Sequence, residues 1–138
     1  MVKRMIAASL VALALLVGCS KPSETTTPSS SSQKQVVNLS VQDLLKRYKA
    51  GEKLLIVDVR TPEEFAAGHI EGALLSPLQN VEEGVKKIAK DQQIILICRS
   101  GNRSLQAYNI LAGLGYTNLI NVTGGMIDWE KAGGPVVK

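Results

Sequence analysis

Apolar residues fall along this chain in short blocks of two kinds. Ile94-Ile95-Leu96-Ile97 is an uninterrupted apolar run, the pattern of a strand buried on both faces of a parallel sheet. Leu54 to Val57 repeats it, and Leu119 to Val122 reads as the last strand. Val36 to Leu39 reads as a first strand and Ala73 to Ser76 as a short one. Between these runs, apolar positions recur at helical spacing: Val41, Leu44, Leu45 and Tyr48; then Val81, Val85 and Ile88; then Ala107, Ile110, Leu111 and Leu114. Polar punctuation marks the helix ends. Ser40 is an N-cap with Asp43 three residues on, and Gly51 ends that helix. Thr61-Pro62-Glu63-Glu64 spells a capping box with proline at the first helical position, and Gly68 closes the short helix it starts. Ile127 to Ala132 gives a last short helix after Gly124-Gly125. Strand and helix alternate, which predicts an α/β domain with a mostly parallel sheet, helices on both faces and right-handed crossovers.

The first 35 residues break this pattern. Lys3 and Arg4 precede an apolar, small-residue stretch from Met5 to Val17. That stretch is shorter than the ~20 residues a membrane span needs, and it matches a secretory signal peptide. It ends in Leu16-Val17-Gly18-Cys19, which resembles the lipobox of bacterial lipoproteins. The resemblance implies cleavage before Cys19 and lipid on its sulfur and new amino terminus. Several acyl chains anchor stably where one binds only marginally. Ser20 follows, not the aspartate that often retains such proteins in an inner membrane. Residues 1–18 are thus expected to be a lipoprotein signal peptide and residues 19–35 a lipidated Ser/Thr/Pro-rich tether, too poor in apolar side chains to fold. Residues 36–138 are the folded domain, exported and held at the cell envelope. Loss of Lys3 and Arg4 lowers the net charge from +4 to +2. The domain has no basic run or aromatic ladder that would suit nucleic acid.

The chemistry concentrates where the central strand ends. Cys98 follows Ile97 directly, and Arg99-Ser100-Gly101-Asn102-Arg103-Ser104 leads into the next helix. In open α/β sheets, ligands bind outside the carboxyl ends of the strands. The unpaired amides of a curled loop and a helix start form a concavity that suits an anion. Arg99 and Arg103 add positive charge. All of these favour thiolate over thiol, so Cys98 is expected to titrate below the ~8.5 of a free cysteine and to act as a sulfur nucleophile. Gly101 supplies a turn with positive φ.

Four ordered blocks carry a family resemblance: Asp58-Val59-Arg60-Thr61-Pro62-Glu63-Glu64-Phe65; Gly68-His69-Ile70-Glu71-Gly72-Ala73; Cys98 to Ser104; and Gly124-Gly125 with Trp129 and Gly134-Pro135-Val136. Together they resemble a single-domain rhodanese from Val36 to the carboxyl terminus. Leu75 departs from the polar residue that many members carry after the Gly-Ala pair. The resemblance implies a five-stranded, mostly parallel sheet and a persulfide-forming cysteine at Cys98. The residues from Arg99 through Ser100, Gly101, Asn102 and Arg103 would cradle its outer sulfur. The implied reaction runs in two displacements. Cys98 takes a sulfane sulfur from thiosulfate or a similar small anionic donor, then yields it to cyanide or a thiol. That is covalent catalysis with ping-pong kinetics, and it needs no metal or organic cofactor. Arg99 is expected at the mouth, attracting anionic donors, and Arg103 on the first helical turn. Asp58 and Arg60 are read as a polar pair beneath the site, His69 as a structural hydrogen bonder and Trp129 as packing.

Two other classes compete. Cysteine phosphatases place five residues between Cys and Arg, whereas four separate Cys98 from Arg103; the shorter loop suits a single sulfur atom better than a phosphate. The alternative is a tethered sulfur-carrier or interaction module with little turnover. The sequence has two cysteines. With Cys19 lipidated, Cys98 has no internal resolving thiol, so its sulfur must pass to an outside acceptor.

Overall fold

The computed structural model describes Gly18 and residues 35–138. The segments expected to be a signal peptide (Gly18 aside) and a tether up to residue 34, with the expected lipidation site Cys19, lie outside the described residues. No helix among the described residues is long and apolar enough to cross a membrane.

Ile94–Ile97 forms β4, and all four side chains are buried. It lies mid-sheet. The strands β1 (Asn38–Ser40), β2 (Ile56–Asp58), β3 (Leu74–Leu75) and β5 (Leu119–Thr123) arrange themselves around it in the order β1-β5-β4-β2-β3. Every strand pair is parallel, so the carboxyl ends of β2, β4 and β5 converge on one edge.

Side chains alternate across the pleat of β4 and divide the interior into two cores. Ile94, Leu96 and Cys98 pack with Val81, Val85, Ala107, Tyr108 and Leu111. These come from α3 (Val81–Val85) and α4 (Asn102–Gly113). Ile95 and Ile97 pack on the opposite face with Val41, Leu44, Met126 and Trp129, from α1 (Val41–Lys49) and α5 (Gly125–Lys131). Burying each Leu or Ile is worth about 1.5–3 kcal/mol, so β4 is the strand whose removal the fold could least tolerate. It also sets the position of Cys98, which continues the Ile94–Leu96 alternation and lands under α4.

Local signals act as their chemistry requires. Ser40 Oγ accepts from the Asp43 amide at 3.1 Å and starts α1. In α2 (Pro62–Ala67) both halves of the capping box form: the Glu64 amide to Thr61 Oγ1, and the Thr61 amide to Glu64 Oε2. Several expectations shift; β2 begins at Ile56, not Leu54, and β3 is only Leu74–Leu75. The first strand begins at Asn38, not Val36, although the Val37 carbonyl still accepts from the Asn121 amide. The helix expected around Val81, Val85 and Ile88 is a 3-10 turn (Leu78–Asn80) followed by only five α-helical residues. The buried stripe of α4 is Ser104, Ala107, Tyr108 and Leu111, whereas Ile110 and Leu114 are exposed. A serine opens that stripe because it faces the Cys98 sulfur, not hydrocarbon.

Candidate active site

Cys98 is only 1 % exposed. Its sulfur meets the loop that follows. The Gly101 amide donates to Sγ at 3.0 Å, and Ser104 Oγ lies 3.5 Å away. Gly101 has φ +103°, and a Cβ there would press on the Val122 carbonyl at 3.3 Å. The bend that brings its amide back onto the sulfur is therefore one that glycine adopts most easily.

What aims the amides of this loop is α5. The Met126 amide donates to the Cys98 carbonyl at 2.9 Å, and the Ile127 amide to the Arg99 carbonyl at 3.1 Å. In a trans peptide the N–H points opposite to the preceding C=O. Fixing those two carbonyls on α5 thus turns the amides of Arg99 and Ser100 away from it, toward the loop interior. Close approach makes this possible: Gly125 has φ +56°, and a Cβ there would lie 2.4 Å from the Cys98 carbonyl oxygen. The amides of the first turn of α5, unpaired within their own helix, thereby find acceptors.

Burial is the largest influence on the Cys98 thiol and pushes its pKa up. Working against it are the Ser104 hydroxyl and the amides of Ser104, Gly101 and Ser100, and together they win: the thiol sits below its ordinary value. The sequence credited the loop amides together with the two arginines. The structure gives the leading role to the hydroxyl and the amides, because both arginines are otherwise placed. Arg103, on the first turn of α4, makes a two-pronged contact with Glu64 of α2 at 2.7 and 2.8 Å. That guanidinium holds the Glu64 carboxyl down to about 2, with the Thr61 amide helping and partial burial opposing. Arg99, Ser100 and Asn102 lie exposed on the rim. Arg99 borders a cavity of about 300 Å³ shared with Met126, Glu130, Arg60 and Glu64.

Asp58 and Arg60 do form a buried pair at the end of β2. Arg60 Nη2 reaches Asp58 Oδ2 at 2.7 Å and the Gly68 carbonyl at 2.8 Å. The pair ties the end of β2 to the C-terminal end of α2 at Gly68, and the Arg60 charge adds to that of Arg103 in favouring the ionised Glu64. His69 stacks on Phe65 with ring centroids 3.6 Å apart, and its Nδ1 lies 2.9 Å from the Phe65 carbonyl. Trp129 is fully buried, and its indole N–H donates to the Pro135 carbonyl at 3.0 Å. Sequence reasoning passed over Ser104, Asn121, Glu64 and Gly125 as parts of the site. Ser104 stood in the loop motif and Gly125 in the glycine pair, but neither spacing reveals what they touch. Asn121 offered one signal: a polar residue inside the apolar run Leu119–Val122.

A buried sulfur under inward-aimed amides at a strand–helix junction is a device for holding negative charge on sulfur. Comparison with known proteins gives that device a lineage. The model of the rhodanese-like domain family matches residues 40–132. The chain belongs to the rhodanese-like family. A sulfurtransferase of Allochromatium vinosum is 38 % identical over 102 residues, covering 74 % of this chain and 95 % of that one. A Bacillus subtilis protein described as a putative sulfurtransferase is 34 % identical, covering 70 % of this chain and 92 % of its own. Among solved structures, a rhodanese-related protein of Thermoplasma volcanium superposes with a TM-score of 0.64 at 34 % identity, covering 73 % of this chain and 97 % of that one. The rhodanese-like domain protein of Staphylococcus aureus gives 0.64 at 30 % identity, covering 68 % and 91 %. The five-stranded parallel sheet of this chain is the rhodanese-like fold, and its relatives place it among sulfurtransferases.

Proposed function

We propose that this rhodanese-like chain moves a sulfane sulfur from thiosulfate, or a related small anionic donor, to cyanide or a thiol through a Cys98 persulfide. The observation that carries the reading is the sulfur of Cys98 lying 3.0 Å from the Gly101 amide, with Ser104 Oγ 3.5 Å away. In the first displacement the Cys98 thiolate attacks the outer sulfur of the donor, the S–S bond of thiosulfate breaks, and sulfite leaves with the electron pair. The loop amides then face the outer sulfur of the persulfide and stabilise its charge as preorganised donors do. In the second displacement a nucleophilic acceptor takes that sulfur, and Cys98 leaves as thiolate. Sulfur changes carrier twice with no net oxidation, and the reaction needs no resolving cysteine. Arg99 at the rim attracts the donor anion. Ser100 and Gly101 contribute amides, Asn102 frames the opening, and Arg103 fixes the first turn of α4 through Glu64. Asp58 and Arg60 support that arrangement from below.

The proposal extends to where the reaction occurs. The lipobox-like Leu16-Val17-Gly18-Cys19 supports export, lipidation at Cys19 and a domain tethered to the cell envelope. The test of the chemistry is steady-state thiosulfate:cyanide sulfur transfer by the full chain, wild type against Cys98→Ala. Activity in the first and none in the second is expected. Equal rates in both would discard the mechanism.

A further inference from the structure

Asn121 lies in the middle of β5, 3 % exposed, in register with Leu96 of β4 and Asn38 of β1. Asparagine is depleted in strands, and a buried carboxamide is costly unless its hydrogen bonds are made. This one has two partners. Its Oδ1 is 2.7 Å from Ser104 Oγ, and its Nδ2 is 2.9 Å from Asn38 Oδ1. Ser104 Oγ in turn lies 3.5 Å from Cys98 Sγ and 3.1 Å from the Gly101 carbonyl. A chain of polar contacts therefore runs Asn38–Asn121–Ser104–Cys98, from an edge strand to the reacting sulfur.

The hydroxyl of Ser104 has one proton and three acceptors within reach. We propose that Asn121 is a positioning residue that decides which of them receives it, turning the Ser104 hydroxyl toward Cys98 when the sulfur is anionic. The two ends of a carboxamide have the same shape, so a half-turn about the last side-chain bond exchanges donor and acceptor at the same positions. With a neutral thiol, S–H donates to Ser104 Oγ, Ser104 donates to Asn121 Oδ1, and Asn121 Nδ2 donates to Asn38. With a thiolate, the order reverses. Asn38 donates to Asn121 Oδ1, Asn121 Nδ2 donates to Ser104 Oγ, and the Ser104 proton points at sulfur. Each arrangement satisfies the chain from end to end, and such chains strengthen each bond in them. No proton travels along it; the thiol proton leaves to solvent, and only the hydroxyl changes direction. Charged side chains on the surrounding elements are Arg99 in the loop, Arg103 on α4, the Asp58–Arg60 pair at the end of β2, Glu64 on α2, and Asp128 and Glu130 on α5. Asn121 adds no charge to these and acts only through hydrogen-bond direction.

The inference rests on Cys98 being the reacting sulfur, and the test separates the two. Alkylation of Cys98 by iodoacetamide is followed against pH in the full chain. Asn121→Asp keeps the shape but only accepts, so it holds the Ser104 proton away from sulfur. The rate at neutral pH should fall tenfold or more, with the midpoint moving to higher pH. In a Ser104→Ala background the same change should alter the rate less than threefold. An equal effect in both backgrounds would assign it to the added negative charge and overturn the proposal, as would an unchanged rate in Asn121→Asp. A wild-type Cys98 that alkylates like an ordinary thiol would instead overturn the reading of the site. Should Asn121→Asp fail to fold, NMR of the wild-type chain decides. The Asn121 side-chain amide protons should shift with the Cys98 midpoint, and not in Ser104→Ala; no shift in the wild type overturns the proposal.

Discussion

Gly125→Ala tests whether α5 aims the loop. The added methyl would sit 2.4 Å from the Cys98 carbonyl oxygen and 2.5 Å from the carbonyl carbon and oxygen of Arg99. These are backbone atoms on both sides, so no flexible side chain can swing away. Holding alanine at φ +56° costs about 1–2 kcal/mol, and overpacking typically adds about 1–3 kcal/mol. The protein can relieve most of this by letting the loop retreat from α5. That breaks the Met126 and Ile127 hydrogen bonds and frees the peptides whose amides they orient. Stability should fall by about 2–4 kcal/mol, roughly 10–20 °C in melting temperature for a domain of this size. Misaiming one donor to a developing charge costs about a hundred- to a thousandfold in rate, so sulfur transfer should drop by at least that factor at a temperature where the variant is folded. The assay is sulfur transfer and the pH profile of Cys98 alkylation side by side, with folding checked by circular dichroism. A variant that is less stable yet transfers sulfur at the wild-type rate, with an unmoved alkylation midpoint, would refute the claim that α5 orients the cradle.

Other expectations follow from single contacts. The carboxyl of Glu64 is held at about 2 against an ordinary 4.5. A depressed carboxyl stabilises the fold above its ordinary value and loses that contribution as pH falls toward its folded value. Glu64→Gln should therefore cost about 1 kcal/mol at neutral pH, after allowance for solvent screening of a half-buried pair. Urea titrations from neutral pH down to acid should show the stability difference between wild type and variant shrinking; a variant as stable as wild type at neutral pH would count against the pair. Arg99→Ala should raise KM for thiosulfate several-fold, with kcat little changed, and the difference should shrink at high salt. A fall in kcat alone would place Arg99 in the chemistry. Cys19→Ser should leave the chain unlipidated, so that it partitions into the aqueous phase instead of detergent when expressed in a lipoprotein-processing bacterium; retention in detergent would count against lipidation at Cys19.

The parts of the fold that the sequence made legible are those decided within a few residues. Ile94–Ile97 appears with the expected ends because an apolar run flanked by polar residues has no other register to adopt. Thr61 and Glu64 cap α2 because the capping box is a contact three residues long. What stayed hidden depends on contacts distant in sequence. Glu64 was legible as a cap but not as the partner of Arg103, 39 residues away. Ile110 and Leu114 fit helical spacing, yet the sheet covers a neighbouring stripe led by Ser104. The boundary of β1 moved because Asn38–Ser40 pairs with β5 alone, and an edge strand's extent is set by its one neighbour. The candidate site follows the same division. The thiol and its loop are contiguous and could be read, whereas the α5 amides and Asn121, more than 15 residues further along, are brought to them only by the fold.

The measurement closest to the central claim is the intact mass of the full chain after incubation with thiosulfate. One added sulfur atom, lost on treatment with cyanide or a reductant and absent in Cys98→Ala, is the predicted result. An unchanged mass in the wild type, or a sulfur that persists in Cys98→Ala, would contradict it.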